Sequence, residues 1–193
     1  MFFKKKNNTP NIEEQFIEEI VDGNAEAFQI IYRKHSQNVF RYCLKIVKDE
    51  SLAKDALQET FIKVYEKRES YNGTNFKGWL YTIARNTCMN YQRDKKDFVE
   101  YVEGTRPQYY NDDFILKEYI SKMIDTLPDT YREAIILREY EELSYEEIAQ
   151  VLDLDLSLVK IRVHRARKIL KKLLEPIVKE INEIWRFNIE IPW

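Results

Sequence analysis

Seven cations and no acid fall between Leu156 and Lys172: Lys160, Arg162, Arg165, Arg167, Lys168, Lys171 and Lys172. Lysine and arginine hold phosphates and reach guanine edges, so this run is a candidate nucleic-acid surface. Val159, Val163, Ala166, Leu170 and Leu173 recur through it at helical steps and supply a buried stripe. Lys160, Arg162, His164, Arg165 and Arg167 spread around the polar sides. Taken alone, a basic helix is more often a solvated face than a reader of bases. The preceding residues reverse that balance. Ser144 and Glu147 have capping-box spacing, and Leu143 and Ile148 can close a hydrophobic staple, which predicts a short helix to about Leu152. Asp153-Leu154-Asp155-Leu156 then leaves a tight connection before the basic helix starts at Ser157, and two helices so joined read as a helix-turn-helix.

A second group, Tyr71, Asn72, Asn75, Trp79, Tyr81, Arg85, Asn86, Asn90 and Arg93, mixes aromatics, amides and cations. Such a mixture suits stacking on unpaired bases and contact with a single-strand backbone. Phe76, Trp79, Leu80 and Ile83 at helical spacing fit a plain core stripe as well, and that is the commoner meaning of the pattern. Arg85, Asn86, Asn90 and Arg93 have no such explanation.

Other chemistry finds no support. Cys43 and Cys88 stand far apart without a CxxC or a nearby histidine pair, so no metal site or disulfide framework is expected. His35 and His164 assemble into no nucleophile set, and there is no glycine-rich phosphate loop, so no cofactor and no enzyme activity are expected. No run approaches the roughly 18 apolar residues that a membrane span requires, so no membrane insertion and a cytoplasmic location are expected.

The elements that carry these groups are helical. Across 193 residues there are four glycines and five prolines, too few turn residues for an all-β chain, while 44% hydrophobic content supports a core. Apolar residues recur at three- and four-residue steps from Ala25 to Val47, from Ser51 through Leu52, Ala56, Leu57, Thr60, Phe61 and Val64, and from Asn75 to Arg93. Three such helices with short connections make a bundle. The expected organisation is all-α: a helical domain over 1–95, a flexible linker over 96–113 containing Gly104 and Pro107, a helix-turn-helix domain over 114–174 and an amphipathic tail over 175–193. Thr126 is expected to cap a helix in which Pro128 takes the first turn and Asp129 meets the dipole, and whose Tyr131, Ala134 and Ile135 are buried.

Three motifs in this order resemble the extracytoplasmic-function group of bacterial RNA polymerase sigma factors, over roughly residues 20 to 172. Asp55-Ala-Leu-Gln-Glu-Thr-Phe61 resembles the helix that grips the clamp helices of the polymerase β′ subunit. Phe76-Lys-Gly-Trp-Leu-Tyr-Thr-Ile-Ala-Arg-Asn86 is similar to the segment that melts and reads the promoter minus-ten element. Leu127-Pro, Tyr131-Arg-Glu133, Ser144-Tyr-Glu-Glu-Ile-Ala149 and the residues from Val159 to Arg167 are similar to the minus-thirty-five reader. The resemblance implies polymerase binding by Asp55, Gln58 and Glu59. It implies minus-ten contacts by Tyr71, Asn72, Trp79, Arg85, Asn86, Asn90 and Arg93, with a flipped base captured near Tyr71 and Asn72. It implies minus-thirty-five contacts by Ser144, Tyr145, Ser157, Leu158, Lys160, Ile161, Arg162, His164 and Arg165. The implied partners are core RNA polymerase, promoter DNA and an anti-sigma factor.

Ser157-Leu158 and Ile161 depart from the family's usual Gly-Thr and Ser, and Asp153 replaces the usual turn glycine, a position that aspartate tolerates in the left-handed region. Pro176 is expected to open a last helix with Ile177, Val178, Ile181, Ile184 and Trp185 on one face, followed by alternating Ile189, Ile191 and Trp193. The formal charge of −2 hides a strong polarisation, since seven acids stand against one arginine between Arg138 and Asp155, just before the basic run. Two rivals remain open on the residues alone: a stand-alone helix-turn-helix regulator and a helical interaction scaffold.

Overall fold

The computed structural model describes residues 17, 19–72, 75–95 and 112–187. They are helical, with no strand among them, and the chain divides into two compact units, Met1–Gly104 and Thr105–Trp193.

The first unit contains α1 (Ala25–Val47), α2 (Glu50–Glu66), a 3-10 turn (Arg68–Ser70) and α3 (Phe76–Lys95). Each α-helix is started by a side chain that accepts from orphan amides. Asn24 accepts from Glu26 and Ala27, Asp49 from Leu52 at 3.0 Å, and Asn75 from Gly78 at 2.9 Å. Lys48 ends α1 in the left-handed region (φ 55°) directly before the Asp49 cap, so α1 turns into α2 within two residues. Gly78 leaves room for the Asn75 cap, because a Cβ there would lie 2.2 Å from the Asn75 Nδ2. The core draws Ile31, Val39, Tyr42 and Cys43 from α1, Ala53, Ala56, Phe61 and Val64 from α2, and Phe76, Leu80, Tyr81, Ala84 and Cys88 from α3. The periodic stripe therefore faces inward as expected; Tyr32, which falls on the apolar steps between Ala25 and Val47, departs from it. Its ring packs edge-on against Phe61 at 4.8 Å while the side chain stays 39% exposed. His35 and Tyr42 are buried although the pattern did not single them out.

The second unit contains α4 (Asp112–Asp125), α5 (Asp129–Glu139), α6 (Tyr145–Leu152) and α7 (Leu156–Phe187). The expected linker lies outside the described residues as far as 111, and α4 begins ahead of the expected start at Phe114. Thr126 does not cap α5. Its hydroxyl donates backward to the Met123 carbonyl at 2.6 Å, and α5 begins after Pro128 with no side-chain cap. The turn is held instead by Arg132, whose guanidinium donates to the Ile124, Asp125 and Leu127 carbonyls and meets the Asp129 carboxylate at 2.6 Å. The arginine does not cap the start of α5, since it can only donate; it satisfies three carbonyls at the end of α4 and in the turn that follows, and it is buried in doing so. Tyr131, expected in the core, is half-buried.

The helix-turn-helix forms as the spacing predicts. Glu147 N–H donates to Ser144 Oγ at 3.1 Å and Ser144 N–H donates to Glu147 Oε2 at 2.6 Å, completing the capping box. Asp153 closes α6 in the left-handed region at φ 53°. The tail departs from expectation, since Pro176 lies inside α7 rather than opening a new helix. Proline removes one N–H, but its fixed φ is helical, and the run Lys171-Lys172-Leu173-Leu174-Glu175 consists of strong helix formers that carry the turn before it. Residues 188–193, with the alternating Ile189, Ile191 and Trp193, lie outside the described residues.

Candidate functional site

On α2, Asp55 and Gln58 are exposed and Glu59 is half-buried. Glu59 also binds within the unit. Its carboxylate meets Lys63 Nζ at 2.5 Å, and the same ammonium donates to Thr87 Oγ1 of α3 at 3.3 Å. The Lys63 hydrogen bond holds the Glu59 carboxyl below the usual glutamate range; partial burial opposes this, and a hydrogen bond with Tyr91 and the Lys63 charge add to the lowering. Glu59 thus stays ionised and anchored, while Asp55 and Gln58 present their polar atoms to solvent.

At the start of α3, Tyr71 stacks obliquely on Trp79 at 5.4 Å and meets Phe76 edge-on at 5.9 Å; His35 of α1 sits 5.6 Å from Phe76. Phe76 and His35 are buried, whereas Tyr71 and Trp79 are half-buried, so the cluster is rooted in the core and opens at the surface. Asn72 is exposed beside it, and residues 73–74 lie outside the described residues. At about 100° per residue, Trp79, Asn86, Asn90 and Arg93 share one face of α3, while Arg85 stands about 120° from Trp79. Arg93 donates to the Asn90 amide oxygen. Six of the seven candidates thus cluster at one end or line one face, and Arg85 is set apart. Phe76 is buried as its place in the core stripe predicts, whereas His35 was missed as a support because a buried histidine leaves no periodic signal of its own.

In the second unit, Val159, Val163 and Ala166 are fully buried, and Leu170 and Leu173, expected on the same stripe, are half-buried and exposed. Opposite that stripe fall Ser157, Ile161, His164 and Lys168, with Lys160 on one flank and Leu158 and Arg165 on the other, all exposed. Lys168 belongs to this face and was not singled out by the motif. Arg162 lies about 60° from the buried stripe and is half-buried, so it is the least accessible of the candidates on α7. Arg165 donates to the Tyr131 hydroxyl at 3.2 Å. Arg167 is engaged on the opposite side, donating through Nε to Glu139 at 2.9 Å, an interaction that raises its already high pKa. The ring of Tyr145 receives the Arg138 guanidinium at 4.8 Å and lies 6.0 Å from Lys160 Nζ. The Ser144 oxygen accepts within the capping box, and its hydroxyl retains a donor for a phosphate. Exposed Leu158 and Ile161 beside cations provide apolar contacts of the kind thymine methyls take.

Among the described residues no group of histidines, cysteines and acids could hold a metal ion, and no helix is long and apolar enough to cross a membrane.

Known proteins match these same two units. The family model for sigma-70 region 2 matches residues 31–98, and that for sigma-70 region 4 matches residues 117–170. The chain is 30% identical over 190 residues to the RNA polymerase sigma-H factor of Pseudomonas aeruginosa, an alignment covering 89% of this chain and 98% of that protein. The chain belongs to the extracytoplasmic-function group of RNA polymerase sigma factors. The RNA polymerase sigma factor YlaC of Bacillus subtilis is 35% identical over 158 residues, 76% of this chain and 91% of the relative. Among solved structures, the sigma factor RpoE in complex with the anti-sigma factor NepR from Bartonella quintana is similar with a TM-score of 0.66 and 28% identity, covering 78% of this chain and 98% of that one. Within this sigma factor the α2 and α3 surfaces fall in the region 2 match, and the helix-turn-helix falls in the region 4 match.

Proposed function

We propose that this sigma factor binds core RNA polymerase through Asp55, Gln58 and Glu59, engages the opened minus-ten strand through the Tyr71–Trp79 cluster and the Asn86–Asn90–Arg93 face, and docks α7 in the major groove of the minus-thirty-five element. The observation that carries the reading is the pairing on one chain of an acid-and-amide helix face with an adjoining aromatic-and-amide face, both inside the region 2 match. The first suits a basic protein partner and the second suits unstacked bases. On α7, Ser157, Lys160, Ile161, His164 and Arg165 are the base- and phosphate-reaching set, and Arg162 supports from the seam. Domain limits of 1–95 and 114–174, with a linker over 96–113, fit this division of labour. The factor works in the cytoplasm with polymerase and promoter DNA, and the bond-making belongs to polymerase. An anti-sigma factor holds the chain inactive, a reading supported by its likeness to a relative solved with such a partner.

Transcription in vitro with purified core polymerase and a genomic library tests the proposal. The parent chain yields discrete start sites, and joint replacement of Asp55, Gln58 and Glu59 by Ala abolishes them together with core binding. A chain that binds promoter DNA specifically without polymerase, and whose binding survives that triple replacement, would instead be a stand-alone regulator.

A further inference from the structure

Among the described residues the most exposed large apolar side chain is Ile62, at 50%. A single exposed isoleucine needs no explanation in general, but this one has a telling position. It follows Asp55 by two helical turns on α2, about 10 Å along the axis, and lies about 20° from it around the helix, with Glu59 on one side and Gln58 on the other. Exposed Glu66 follows one turn further on, about 40° around the helix, so polar groups border the apolar side chain at both ends. Tyr65 continues the patch one turn further. Its ring is 40% exposed and is held in place, edge-on to Phe28 at 5.4 Å and beneath the Arg68 guanidinium at 4.6 Å. An apolar centre ringed by charged and amide groups is the arrangement of a protein-binding hot spot, in which the rim steers and excludes water while the centre is desolvated.

Resting on the polymerase-binding reading of Asp55, Gln58 and Glu59, we propose that Ile62, extended by Tyr65, is the apolar anchor of that contact. The surface it meets on core RNA polymerase then carries an apolar recess bordered by basic side chains that pair with Asp55 and Glu59. Continuity with the acidic face and the sign of its charge identify the occupant.

The test uses the full chain and purified core polymerase, with affinity measured by competition at two salt concentrations. Ile62→Gln keeps the parent melting temperature, since the side chain is exposed, and weakens core binding by at least about tenfold. The loss persists at high salt, because desolvation is not screened, whereas the loss from Asp55→Ala shrinks as salt rises. Ile30→Gln, at a 40% exposed isoleucine on α1, changes affinity less than about twofold. Parent-like binding by Ile62→Gln, with the triple alanine variant of Asp55, Gln58 and Glu59 defective, overturns the anchor and leaves the face standing. Parent-like binding by both overturns the polymerase-face reading and the anchor with it. An equal loss for Ile30→Gln also overturns the anchor, since position on α2 would then not matter.

Discussion

Helices α3 and α7 both present candidate DNA surfaces, yet they are held in opposite ways. Helix α3 buries a broad face of Phe76, Leu80, Ile83, Ala84, Thr87 and Cys88, leaving a narrow outer strip of amides and an aromatic end. Helix α7 rests on Val159, Val163 and Ala166, with Arg162 half-buried at the seam, and more than half its circumference is exposed. A narrow strip suits one unpaired strand lying along it, whereas a helix that projects widely suits insertion into the major groove. The supports differ as well. Side-chain caps at Asn24, Asp49 and Asn75 organise the first unit locally, whereas the second has one capping box, at Ser144, and adds the buried Arg132 that ties its first two helices together.

That contrast breaks most visibly at Arg132. Arg132→Ala strands three carbonyls at the α4–α5 turn and is expected to cost about 2–4 kcal/mol. Urea unfolding followed by a probe in each unit should show the second unit melting early and the first unchanged. A single unaltered transition would mean that the hub is dispensable.

Comparison of the caps gives a smaller effect. Asn75→Ala should remove the cap on the Gly78 N–H and cost about 1 kcal/mol, and Ser144→Ala should cost a similar amount through the capping box. Each loss should register in its own unit's melting. Asn75→Ala should in addition weaken binding of minus-ten single strand by the polymerase complex, because Trp79 sits in that first turn. Parent-like melting of Asn75→Ala would show that Asn75 contributes no cap.

Glu59→Gln should be mildest, at less than about 1 kcal/mol for a partly solvated ion pair. Its sign is definite. A carboxyl whose folded pKa is lowered stabilises the fold above its unfolded pKa, and that contribution disappears as pH falls through the lowered folded value. The parent and Glu59→Gln stabilities should therefore differ at neutral pH and converge on the acid side. A difference that grew on acidification would contradict the Lys63 contact.

Much of this was legible from neighbouring residues alone. The Ser144–Glu147 box, the left-handed Asp153, the apolar stripes of α1 to α3 and the cation run from Lys160 to Lys172 all depend on residues within a turn of one another. The local reading failed at two helix starts. Thr126 had a cap's sequence position, but Arg132 already organised that turn. Pro176 had a helix-start's position, but the preceding turn of α7 was strong enough to run through it.

Periodicity and capping are short-range, so helices, the helix-turn-helix and a polarised charge that sums to −2 are all readable along the chain. Tertiary structure decided which polar groups face outward. Lys63 reaches Thr87 and Arg167 reaches Glu139 across separations of 24 and 28 residues, so that Glu59 and Arg167 are partly committed within their units while Asp55, Gln58, Lys160 and Lys168 face solvent. The Glu59–Lys63 pair is one turn apart and readable locally, but a neighbour supplied by another helix, as Glu139 is to Arg167, is recorded by no local spacing.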